Sequence, residues 1–159
     1  MTERVNKKNS YQYKECGLDY VWLSNGFEYI NSPRGRRIQI DDPEGLHKVI
    51  ADYVVSEIKD LKGPEIRFLR HRMDISQSIL ARLLNTTEQS IRRWENDKSP
   101  INKSAEALFR ILYQAYASED HTVPVREVLA ELSSLELEIS KIDKKELNLS
   151  NNDEWRKTA

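Results

Sequence analysis

The fold turns on one stretch, Ile75-Ser-Gln-Ser-Ile-Leu-Ala-Arg-Leu-Leu-Asn-Thr-Thr-Glu-Gln-Ser-Ile-Arg-Arg-Trp-Glu-Asn-Asp-Lys-Ser-Pro100. Ser76 is an N-cap residue, and Leu80, Ala81 and Leu84 recur behind it at helical spacing. Asn85-Thr86-Thr87 interrupts that pattern. Asn tolerates the left-handed backbone that a tight turn needs, and the Thr87 hydroxyl accepts from the amides that open a further helix, Glu88 to Asn96. Two short helices joined by a three-residue turn are predicted. The small Ala81 suits a close crossing of helices so near in sequence.

The helix from Glu88 divides cleanly into two faces. At about 100° per residue with Gln89 at zero, Arg93 falls at about 40°, Asn96 at about 340° and Arg92 at about 300°. Ile91 and Trp94 fall at about 200° and about 140°, on the opposite side. Forked polar side chains therefore point away from the hydrophobes. A Gln amide matches adenine N6/N7 and an Arg guanidinium matches guanine O6/N7, each through two parallel hydrogen bonds to one base edge in the major groove. An ordinary solvated face of a helical bundle has the same periodicity, so spacing alone leaves both readings open.

Taken together, Ser76-Gln77, Ala81, the Asn85–Thr87 turn and Trp94-Glu95 resemble the Xre/Cro/CI family of phage-repressor-like helix-turn-helix proteins, in a unit from Pro64 to Pro100 that is about a quarter of the chain. The resemblance implies base reading by Glu88, Gln89 and Arg93, and the outward Arg92 joins them as a base-reading candidate. It implies that Gln77 contacts a phosphate and braces the readers, and that Ser90, Asn96 and Lys98 touch the DNA backbone. Arg70 and Glu95 match a structural ion pair that ties the preceding helix to the reading helix. Regulators of this type read two half-sites about 34 Å apart and are two-fold symmetric. A homodimer on a palindromic double-stranded operator is the implied partner, and the implied role is a repressor or autorepressor.

Upstream of this unit, Ile66, Leu69 and Met73 mark the inward stripe of a helix that follows Pro64. Gly63-Pro64 punctuates the chain and is read as a domain boundary. Residues 1–10 are polar and read as a disordered lead. Residues 11–62 carry aromatic and β-branched residues with turn formers at Ser24-Asn25-Gly26 and Ser32-Pro33-Arg34-Gly35, which predicts three or so short antiparallel strands. Asp42-Pro43 then opens a helix that reaches about Asp60, with Leu46, Val49, Ile50, Tyr53 and Val54 as its periodic apolar set. The predicted class is α+β, a small antiparallel β module plus a helix, followed by an all-α helix-turn-helix domain over 63–118 and a C-terminal helix.

From Lys103 to about Ser118 a helix with Ala105, Leu108, Leu112 and Ala115 as its packing stripe closes that domain. Over 119–147, Val125, Val128, Leu132, Leu135, Ile139 and Ile142 alternate at three and four, the a/d pattern of a short coiled coil. A dimer contact and a helix folded back on its own domain both fit this stripe. Residues 148–159 read as a disordered tail.

The formal charge is −1 over 159 residues. Its distribution is uneven: Lys62 to Lys103 holds nine basic and five acidic residues, and Ser118 to Ala159 holds six basic and ten acidic. The basic charge thus surrounds the helix-turn-helix, where phosphate contacts need it. No apolar run approaches the roughly 20 residues of a membrane span, and no signal peptide opens the sequence, so a cytoplasmic location without membrane partners is expected. Cys16 is the single cysteine, and only the scattered His47, His71 and His121 could join it, so neither a metal nor another cofactor is expected. Cys16 reads as a small, partly buried hydrophobe and His47 as packing or solvent-facing. Arg34-Gly35-Arg36-Arg37 reads as a solvated turn or as a contact for phosphate or an acidic partner.

There is no Ser/His/Asp grouping, no glycine-rich phosphate loop and no isolated carboxylate pair, and a non-enzyme is expected. A small N-terminal module ahead of such a domain is also similar in layout to the MqsA-type antitoxins. Those hold zinc with paired Cys-x-x-Cys motifs, of which Glu15-Cys16-Gly17 is the only echo here. The alternative this layout implies is an antitoxin that binds a toxin through its N-terminal module and autoregulates its operon.

Overall fold

The computed structural model describes residues 10–118 and two short strands near the C-terminus. Residues 1–9 of the lead expected over 1–10, and the heptad segment over 119–147, lie outside the described residues. The class is α+β: strands β1 (Tyr11–Gln12), β2 (Trp22–Leu23), β3 (Phe27–Ser32) and β4 (Gly35–Ile40) precede helices α1 (Pro43–Ser56), α2 (Gly63–Arg72), α3 (Gln77–Leu83), α4 (Glu88–Glu95) and α5 (Lys103–Ala117).

The strands do not form one three-stranded set. β1 pairs only with β2 and β3 only with β4, giving two separate antiparallel ribbons. Ser24-Asn25-Gly26 therefore links two ribbons and is not the turn of a hairpin. Ser32-Pro33-Arg34-Gly35 is a true hairpin turn: Ser32 faces Gly35 in register, Gly35 takes φ +114°, and Ser32 Oγ donates to Gly35 O at 2.7 Å. Within 148–159, expected to be disordered, β5 (Leu149–Asn151) pairs with β6 (Trp155–Lys157). The intervening Asn152-Asp153-Glu154 begins with turn-forming residue types, and its polarity hid this pairing in the sequence.

Asp42 caps α1 by accepting from Gly45 N at 3.1 Å, with Pro43 in the first turn as expected. The helix stops at Ser56, short of Asp60. The Arg110 guanidinium takes up carbonyls on both sides of this end, donating to Val55 O at 2.6 Å and Ile58 O at 2.7 Å. The expected apolar set is also rotated: Ile50, Ala51, Val54 and Val55 are buried, while Val49 is 66% and Tyr53 48% exposed. On α5 the buried positions are Ala105, Glu106, Phe109 and Tyr113, and the expected stripe members Leu108 and Ala115 face outward. Both helices carry apolar residues on more than one face, and packing selects among them.

One hydrophobic cluster joins these elements. It runs from Tyr13 and Leu18 in the N-terminal loops through Val54 of α1, Leu69 of α2, Leu80 of α3 and Ile91 of α4 to Phe109 and Tyr113 of α5. Gly63-Pro64, read as a boundary, is where α2 begins, and the cluster continues across it. Across the same junction the Tyr20 hydroxyl donates to Glu65 Oε1 at 2.9 Å, and Glu65 Oε2 accepts from Lys62 N at 3.0 Å.

Candidate nucleic-acid interface

α3 and α4 are each built by local sequence signals. Ser76 accepts from Ile79 N and Thr87 from Ser90 N, both at 3.1 Å, satisfying amides that the first helical turn leaves without partners. Asn85 has φ +51°, and around it Thr86 N donates to Ala81 O at 2.8 Å and Asn85 N to Arg82 O at 3.2 Å. This paired closure is a Schellman ending. The same ending recurs at Asp74 after α2 and at Asp97 after α4, both with φ +53°. Inside the angle between the two helices lie Leu80, Ala81, Ile91 and Trp94, all buried.

α4 is held from behind by α2. Glu95, its side chain 1% exposed, accepts from Arg70 Nε at 2.6 Å and Gln77 Nε2 at 2.7 Å. Burial pushes this carboxyl up, but the bonds from Arg70 and Gln77, with the Arg70 and Arg67 charges, outweigh it and hold it below the ordinary glutamate range. Arg67 adds a bond from Nη2 to Glu95 O at 2.7 Å and a longer one to Asn96 Oδ1 at 3.3 Å. Gly63 N donates to Asp97 Oδ1 at 2.8 Å. Sequence reasoning missed Gly63, Arg67 and Asp97. The one signal available was Asp97 itself, a residue type that accepts both the left-handed backbone and a hydrogen bond.

The residues singled out in the sequence fall into two groups. Arg92, Glu88 and Gln77 meet one another: Arg92 Nη2 donates to Glu88 Oε1 at 2.5 Å and Arg92 Nε to Gln77 Oε1 at 3.3 Å. Asn96 closes the helix, donating from Nδ2 to Arg92 O at 2.8 Å, and the Ser90 hydroxyl sits 2.9 Å from Thr87 Oγ1. Gln89, Arg93 and Lys98 are exposed, and their side chains make no hydrogen bond or ion pair among the described residues. Gln77 thus spends its amide on Glu95 and Arg92.

Among the described residues, no group of three or more His, Cys, Asp or Glu side chains is placed to hold a metal ion, and no helix is long and apolar enough to cross a membrane. No family model, curated protein or solved structure matches the chain.

Proposed function

We propose that this chain is a sequence-specific double-stranded DNA-binding transcriptional regulator of the Xre/Cro/CI type, a repressor that inserts α4 into the major groove. The observation that carries the reading is the contrast on α4 itself. Glu88, Arg92, Glu95 and Asn96 are engaged in side-chain bonds, while Gln89 and Arg93, one turn apart, are exposed and without partners among the described residues. A helix anchored this way holds in place the backbone that carries the two forked groups, so binding to base edges orders only their side chains.

In this reading Gln89 and Arg93 read bases, Lys98 contacts phosphate, and Arg92 with Glu88 supplies further groups at the edge of the same face. The Arg70–Glu95–Gln77 cluster keeps α2, α3 and α4 in one rigid unit. Two copies on a palindromic operator account for symmetry, since one α4 covers only a half-site. Incubating the full chain with a pool of random-sequence duplexes and sequencing what it retains tests the proposal. A two-fold symmetric motif with half-sites about one helical turn apart is expected. Retention with no enriched motif, or none at all, overturns it.

A further inference from the structure

A cavity of about 400 Å³ lies between the N-terminal loops and α2, outside the surface assigned to DNA. Pockets for small organic ligands run from roughly 300 to 1,000 Å³. Residues far apart in sequence form its walls: Glu15, Cys16 and Gly17 after β1, His47 on α1, and the α2 face that carries Arg67, Phe68 and His71. Two of the scattered histidines and the single cysteine therefore line one cavity, without forming a metal site among the described residues.

Its chemistry is specific. Phe68 supplies an apolar floor, its ring set edge-on to His47 with centroids 6.2 Å apart. His47 Nε2 is already taken by the Tyr13 hydroxyl at 2.8 Å. His71 Nε2 faces Arg70 Nη2 at 3.1 Å. Arg72, also in the wall, is neutralised by a two-point pair with Glu44 at 2.8 and 3.0 Å. Glu15, the acid of the wall, accepts from the Tyr11 hydroxyl. Arg67 is different: its side chain is 47% exposed, Nη2 is committed to α4, and Nη1 makes no bond among the described residues.

We propose that this cavity binds a small aromatic carboxylate, the carboxylate held by Arg67 and the ring lying on Phe68, and that occupancy changes the affinity of α4 for DNA. The second half rests on the DNA-binding reading, and the first does not. The link is Arg67, because the same guanidinium holds Glu95 O and Asn96 Oδ1 at the end of α4. A carboxylate on Nη1 competes for the charge that steadies those groups, and the coupling is reciprocal by thermodynamic necessity.

Naphthalene-2-carboxylate titrated into the full chain, followed by amide ¹H–¹⁵N spectra, tests the site without DNA. Saturable shifts at Cys16, Gly17, His47 and Phe68 are expected, with roughly tenfold weaker binding for the matching carboxamide and for Arg67→Gln. Because Arg67→Gln also touches α4, Cys16→Leu provides a second variant that narrows the cavity from the opposite wall and is expected to weaken binding as well. The ligand should also slow alkylation of Cys16 at about pH 9. Absence of saturable shifts at these amides, equal binding of the carboxamide, or unaltered binding by both variants overturns the site. Fluorescence anisotropy on a duplex recovered by selection, with and without saturating naphthalene-2-carboxylate, tests the coupling. A change of about fivefold or more in Kd is expected, and an unchanged Kd with the site occupied overturns the coupling alone.

Discussion

Gly63, the first residue of α2, packs directly on the last carbonyl of α4: a Cβ at this position would lie 2.4 Å from Glu95 O and 3.0 Å from Trp94 O. The amide of Gly63 completes the contact by donating to Asp97 Oδ1. The positive end of the α2 dipole thereby meets the negative end of α4, with Arg67 beside it. The placement of the proposed reading helix is set by the start of α2 as much as by its own turn with α3.

Gly63→Ala forces that contact open against backbone atoms that cannot swing aside. A loss of about 1–3 kcal/mol in urea unfolding is expected. A midpoint equal to that of the unaltered chain contradicts the close packing of α2 on α4.

Arg70→Ala leaves the buried Glu95 carboxylate without its main partner, and about 3–5 kcal/mol of destabilisation is expected. The pair also sets a pH dependence. Because the folded-state pKa of Glu95 lies below its unfolded value, its contribution is present above the ordinary glutamate range, near pH ~4.3, and is lost as the pH falls through the depressed value. Urea midpoints taken from neutral to acid pH should fall less steeply below that point for Glu95→Gln than for the unaltered chain, and equal slopes contradict the assignment.

Arg110 is 18% exposed and closes two elements together, bonding Glu106 on α5 and the carbonyls of Val55 and Ile58 at the end of α1. Arg110→Ala should cost about 3 kcal/mol, because the buried Glu106 loses its pair and the carbonyls lose their donor. Arg110→Lys keeps the charge and loses the fork, so it should recover only part of that loss. Full recovery by lysine shows that charge alone suffices.

The rotated stripe on α5 is tested by two adjacent residues. Phe109, fully buried, should cost about 3–5 kcal/mol on truncation to Ala, and Leu108, 38% exposed, less than about 1 kcal/mol. Similar losses at the two positions contradict the observed register.

What could be read from the sequence was what local chemistry decides. Ser76 and Thr87 cap, Asn85 turns, and Ile91 and Trp94 face inward, because these depend on a few neighbouring residues and the helical period. The facing of α1 and α5 was legible only in part: Ile50, Val54 and Ala105 are buried as expected, and the rest of each stripe is not. Val49, Tyr53, Leu108 and Ile111 are as apolar as the residues that are buried, and the buried Glu106 breaks the apolar pattern of the true inner face. Gly63 looked like punctuation, since its role exists only once α4 arrives. In the candidate site, the outward pointing of Gln89 and Arg93 followed from angles on one helix. The Glu88–Arg92 bond is an i,i+4 pair that helical spacing encodes, whereas the bond from Arg92 to Gln77 depends on how α3 crosses α4, which no spacing encodes.

The central claim is that Gln89 and Arg93 read bases from a rigidly held α4, and binding to a selected duplex measured by fluorescence anisotropy tests it most directly. Arg93→Ala, with its unfolding midpoint unchanged, should lose about 1–3 kcal/mol of affinity and accept other bases at one position of each half-site. Affinity and base preference equal to those of the unaltered chain would contradict the account.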